Sequence, residues 1–151
     1  GLTIRTYGTA LNITANHQPD TVYAAKFSLP FCVALALKKG RCGLEDFTPE
    51  ALADPEIRQL MSMMSLVQDD ALDSAHPTRW PAAVEITNHN GRVYHGRTDF
   101  PRGDPENPVT TEDLKEKFYA LATGPWGELK AGALAKAALA LEHVENMATL
   151  F

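Results

Sequence analysis

Asn90-Gly91 lies between two stretches of alternating character. Val84 and Ile86 alternate with Glu85 and Thr87 on one side, and Arg92 to Thr98 follow on the other. An Asn-Gly pair so placed is the strongest short-range signal for a β-hairpin, and it predicts a type I′ turn. A hairpin with one apolar face is marginal alone in water, so further strands or a helical layer must cover that face. Leu2, Ile4 and Thr6 alternate with Thr3, Arg5 and Tyr7, which reads as another strand beginning at the first residues. Residues 65–70, SLVQDD, give a weaker strand signal.

Helix starts are marked by their punctuation. After a polar loop over 14–20, Ser28 is a cap with Pro30 in the first turn; the run FCVALALKK follows and ends at Gly40. The run is apolar nearly all round, which predicts burial against more than one partner. Thr48-Pro49-Glu50 and Asp54-Pro55-Glu56 each supply a capping oxygen, a proline at the first helical position and a carboxylate in the first turn. Ile57, Leu60, Met61 and Met64 follow at helical spacing, and the methionines read as core filler.

Residues 101–118, PRGDPENPVTTEDLKEKF, combine a proline- and glycine-broken turn with a helix from Thr110 to about Ala122. Thr110 and Asp113 match a capping box, and Leu114, Phe118 and Leu121 share a face expected to pack on the sheet. Asp104 and Asn107 are expected to close side-chain turns, making this stretch a structural brace. A Gly124-Pro125-Trp126-Gly127 break precedes a last helix, Glu128 to about Thr149, with the stripe Leu134, Ala137, Leu141, Val144 and Ala148. The predicted order β-α-α-α-β-β-β-α-α gives an α+β fold, with helices packed on an antiparallel sheet.

No familiar chemical signature survives inspection. A formal charge of -5 and a pI near 5.5, without a basic cluster, argue against a nucleic-acid surface. Lys38 and Lys39 close the apolar run too early for a membrane span. The five histidines have no metal-ligand spacing, so no metal is expected. His89 reads as solvated in the hairpin turn, and His95, on the Val93 side of its strand, as a hydrogen-bonded core candidate. Asp69-Asp70 and Glu45-Asp46 diverge as neighbours and make no acid–base pair. Cys32 reads as a small buried residue, and with Cys42 it makes no disulfide framework, which suits a reducing cytoplasm.

Three segments taken together resemble the C-terminal part of the MmgE/PrpD family. They are AKFSLPFCVALAL (25–37), FTPEALADPEIRQLM (47–61) and PRGDPENPVTTEDLKEKF (101–118), in that order, with the hairpin between the last two. The family includes 2-methylcitrate dehydratase, cis-aconitate decarboxylase and iminodisuccinate epimerase. The resemblance implies a large helical domain and a smaller α+β lid, with the active site between them. Residues 1–123 would then be the lid, and 124–151 the C-terminal helix returning to a helical domain outside this chain.

On that resemblance, the full-length parent is an enzyme, a cofactor-independent lyase or isomerase. It would abstract a proton next to a carboxylate of a small polycarboxylate substrate. Most catalytic groups are expected outside this chain, which would be inactive alone. A tyrosine common in the family's F-S-L-x-Y segment falls at Phe31, which has no proton to give. Lys26 and Ser28 flank it, and Arg102 is a further substrate-cleft candidate; for Lys26 and Ser28, contact with a carboxylate substrate stands beside solvation and capping. The alternative is a stand-alone binding or regulatory module that reuses the lid fold without catalysis. The isolated chain is expected to associate through surfaces that the missing domain would cover, the strand at Leu2–Thr6 and the stripe Leu134, Leu141 and Val144, most simply as a homodimer with swapped or paired C-terminal helices.

Overall fold

β1 (Leu2–Thr6) lies inside the sheet, not at an edge. It pairs in parallel with β2 (Met64–Gln68) and antiparallel with β3 (Ala82–Thr87), which pairs antiparallel with β4 (Val93–Thr98). The sheet order is β2-β1-β3-β4. The computed structural model describes residues 1–144 and 146–149, in two compact units, 1–101 and 102–151. The α+β class holds, but the sheet is mixed, because all the helices between β1 and β2 form one long crossover that returns the chain in the same direction. β1 is paired on both sides and Leu2 and Ile4 are buried, so the strand is not the exposed surface expected of it.

The hairpin forms, but its turn is not type I′. That turn needs positive φ at both central residues, and only Gly91 has it (φ 75°). Asn88 replaces it with a local device: its Oδ1 accepts from the N–H groups of Asn90 and Arg92, each at 3.0 Å. Its backbone N–H donates to Arg92 O at 3.0 Å. The result is a three-residue loop with a left-handed glycine at its end.

Three helices begin where the capping residues say. In α3 (Leu29–Lys39) the Ser28 hydroxyl accepts from Phe31 N, and Gly40 takes the left-handed C-cap (φ 73°). In α4 (Pro49–Ala53) and α5 (Pro55–Ser62), Thr48 and Asp54 cap their first turns. Phe31, Ala34 and Leu35 of α3 and Ile57 and Met61 of α5 meet Leu2, Ile4 and Met64 of the sheet in one core. Met61 and Met64 fill that core, while Met63 stays half exposed.

Two short helices escape the pattern, α1 (Gly8–Thr14) and α2 (Val22–Ala25). The first has no local side-chain cap. Its Gly8 N–H instead donates to Asp73 Oδ1 at 2.6 Å, a carboxylate at the end of α6 (Asp70–Asp73), 65 residues away. Asp69, one of the dismissed acidic neighbours, caps α6 through Ala71 N and Leu72 N. The loop before α2 is tied down by Arg58, whose guanidinium donates to Pro19 O and Leu52 O.

In the second unit, the capping box of Thr110 and Asp113 opens α7 (Thr111–Ala138). Gly127 leaves helical geometry (φ 76°, ψ 159°), so the expected break makes two helical stretches of this run. The preceding turn is closed by backbone bonds, Gly103 N–H to Asn107 O and Asn107 N–H to Asp104 O. Leu114 and Leu121 are exposed and Phe118 is half-buried. The last helix ends at Ala138, not near Thr149, and short 3-10 turns follow at Leu141–His143 and Met147–Thr149. Its buried positions are Ala131 and Ala135, and Leu139 and Leu141 are exposed. Small alanines have little apolar area to bury, and burial is what holds most helices in proteins. Among the described residues, no helix is long and apolar enough to cross a membrane.

Candidate functional site

The α2–α3 junction brings three of the four candidate residues together, each in a different setting. Thr21 caps α2, and the helix stops after one turn at Lys26, whose backbone is still helical. Lys26 is exposed. Ser28 then turns the chain into α3 and is fully buried. Its hydroxyl donates to Asn16 O at 2.5 Å and accepts from Phe31 N at 3.1 Å. Both hydrogen-bonding roles of the hydroxyl are thereby used within the protein.

Phe31 is fully buried, with its ring 5.9 Å from that of Phe47. Of the three, Lys26 alone presents a charged group to solvent. Arg102 belongs to the second unit, where its guanidinium pairs with Asp113 beside the start of α7. The N–H of Thr110, then its hydroxyl, then Arg102 hold the Asp113 carboxyl below its ordinary range.

Cys32 is half-buried one turn into α3, with Sγ 3.7 Å from Ala25 O. Burial, then the neighbouring Cys42 thiol, push the Cys32 thiol up to about 12. It is therefore a thiol at neutral pH, and a poor nucleophile. Past the end of α3, Asp46 is buried and receives Gly43 N–H at 2.9 Å, Lys39 Nζ at 3.0 Å and Arg41 Nη2 at 3.2 Å. Lys38 is likewise held by Asp54 and Glu56, at 2.7 and 2.8 Å. These cations serve the protein's own carboxylates. Among the described residues no three His, Cys, Asp or Glu side chains gather where a metal ion would sit.

The outward face of the sheet carries charge that the linear pattern did not single out. His95 is exposed, not a core residue, because β4 is an edge strand with every residue exposed. Its Nδ1 lies 3.7 Å from Glu85 Oε2. Arg5, Ala83 and Arg97 stand in one cross-strand row, and Thr3, Glu85 and His95 in the next. The signal was the alternation of Thr3/Arg5, Ala83/Glu85 and His95/Arg97, legible as one face only once the strands are ordered.

The Ser28 geometry makes a direct prediction. Ser28→Ala removes the α3 cap and the hydroxyl's bond to the Asn16 carbonyl, which lies on an exposed residue and can hydrate, so it should cost roughly 0.5–2 kcal/mol. Urea unfolding followed by circular dichroism measures this. A loss below a few tenths of a kcal/mol would show that the hydroxyl is not structural and is open to a ligand.

Comparison with known proteins follows the same segments. A family model described as the MmgE/PrpD C-terminal domain matches residues 1–143. Cis-aconitate decarboxylase of Mus musculus is 25% identical over 105 residues, which cover 70% of this chain and 21% of that protein. The chain thus corresponds to about a fifth of the length of that curated relative.

Proposed function

The chain belongs to the MmgE/PrpD family, matching its C-terminal domain over residues 1–143, and from that premise we propose that it is the C-terminal part of a lyase or isomerase acting on a small polycarboxylate. The observation that carries the reading is this match, together with the similarity to a decarboxylase of a tricarboxylic acid. The proposed reaction begins with removal of a proton next to a carboxylate and needs no cofactor. Loss of water, loss of carbon dioxide or return of the proton then completes it.

Such a step needs a positioned base and fixed positive charge for the carboxylate and the developing carbanion. Lys26 is the residue of this chain best suited to supply that charge. It is exposed, it stands at the end of a capped turn, and among the described residues no carboxylate is paired with its ammonium group. Phe31 and Ser28 contribute by fixing the junction that presents it. The base and the remaining substrate contacts belong to parts of the protein outside this chain.

Full-length enzyme should be assayed on 2-methylcitrate, cis-aconitate and iminodisuccinate. Lys26→Met should lower kcat/KM on the accepted substrate by about tenfold or more, as expected for a lost charge-assisted contact, with the melting temperature nearly unchanged. Turnover of none of the three would overturn the polycarboxylate reading. Turnover with an inert Lys26→Met would keep the reaction class and remove Lys26 from the site.

A further inference from the structure

A shallow cleft of about 360 Å³ lies on the outward face of the sheet, lined by side chains of β1, β3 and β4. From this cleft we infer a binding site for a small dicarboxylate or tricarboxylate, gripped between Arg5 and Arg97. The inference rests on the sheet geometry and does not depend on the proposed reaction.

Register is the first support. Arg5 pairs with Ala83, and Ala83 with Arg97, so the two arginines flank a residue with almost no side chain. Strands two apart are separated by roughly 10 Å. That spacing suits two carboxylates at the ends of a short carbon chain lying across Ala83. A ligand with two separated carboxylates can engage one guanidinium at each end, whereas a single phosphate engages both only if the two long side chains converge on it. Each guanidinium presents a planar fork that matches a planar carboxylate.

Charge is the second support. The cleft is lined by two guanidinium groups, Arg5 and Arg97, and one carboxylate, Glu85, leaving one excess positive charge in a chain of formal charge -5. Asp99 is shared: it receives Arg97 Nε at 2.9 Å and Nη2 at 2.8 Å, and it lies 3.5 Å from Arg79 Nη1. The bidentate hold fixes the Arg97 plane and leaves its other Nη for a ligand. Arg5 is exposed and has no ionic partner among the described residues. Glu85 and His95 occupy the neighbouring row, 3.7 Å apart, so Glu85 repels an anion there and confines the ligand to the arginine row.

Isothermal titration calorimetry on the 151-residue chain tests this with citrate, succinate and inorganic phosphate at constant ionic strength. Citrate and succinate should bind more tightly than phosphate. Arg5→Gln and Arg97→Gln should each weaken citrate by about tenfold, the size expected for a charge-assisted contact. Arg5→Lys should recover only part of the loss, and Glu85→Gln should tighten binding. Circular dichroism checks that each variant is folded; because Arg5 and Glu85 are exposed, their variants remain informative if Arg97→Gln is unstable. Equal affinity for phosphate and citrate, no citrate binding, or indifference to Arg5→Gln would overturn the site.

Discussion

Phe31→Ala should lower the unfolding free energy by roughly 3–5 kcal/mol, the usual cost of truncating a buried aromatic side chain. The ring is fully buried and packs against Phe47, beside Ala34, Leu35 and the inner face of β1. Protein interiors are close-packed, so the vacated space would not refill without moving α3. The same site permits a finer experiment. Phe31→Tyr places a hydroxyl in this core and should cost roughly 1–3 kcal/mol if that group finds no partner. Equilibrium denaturation of both variants reads the two effects on one scale. A loss below 1 kcal/mol for Phe31→Ala would mean that the ring is not a core residue, and would restore it as a candidate for the substrate cleft.

Asp46→Ala should be the second large effect, roughly 1–3 kcal/mol at neutral pH, because it leaves the Gly43 N–H without its acceptor and two cations without their shared carboxylate. The loss should fall below that for an ion pair buried at both ends, since Lys39 and Arg41 remain partly exposed and can hydrate. The Gly43 N–H first, then the Lys39 ammonium and the Arg41 charge, hold the Asp46 carboxyl below its ordinary range, against the opposing effect of burial. A carboxyl with a lower pKa folded than unfolded stabilises the protein above the unfolded value, near 4, and loses that contribution as pH falls through the folded value. The stability difference between wild type and Asp46→Asn should therefore be full at pH 6 and shrink below about pH 4. Asp54 and Asp113 are lowered in the same direction, by Lys38 and by the Thr110 N–H respectively, and should add to the acid limb. Thermal melts across that range test the assignment; a difference constant with pH would dissociate Asp46 from it.

The segment 25–37 pointed to the α2–α3 junction, where Lys26 is exposed. What the segment did not reveal is that Ser28 and Phe31 face inward. The cap role of Ser28 was readable from Pro30 two residues on, but its second bond, to the Asn16 carbonyl 12 residues upstream, was not. The sheet-face arginines were less legible still. Arg5 and Arg97 are 92 positions apart, and nothing near either residue announces the other.

Local chemistry decided where most elements begin and end. Ser28, Thr48, Asp54 and Thr110 cap their helices with oxygens two or three residues from the bonds they make, and Gly40 supplies a left-handed stop. Alternation placed β1, β3 and β4, because the side-chain period of a strand is a property of the strand itself. Tertiary structure decided what depends on distant partners. The parallel pairing of β1 with β2 follows from packing five helices between them, and α1 starts at Gly8 because Asp73 reaches it. The end of α7 at Ala138 is of the same kind: alanine favours helix everywhere, so a limit on its length has to come from what the helix can bury.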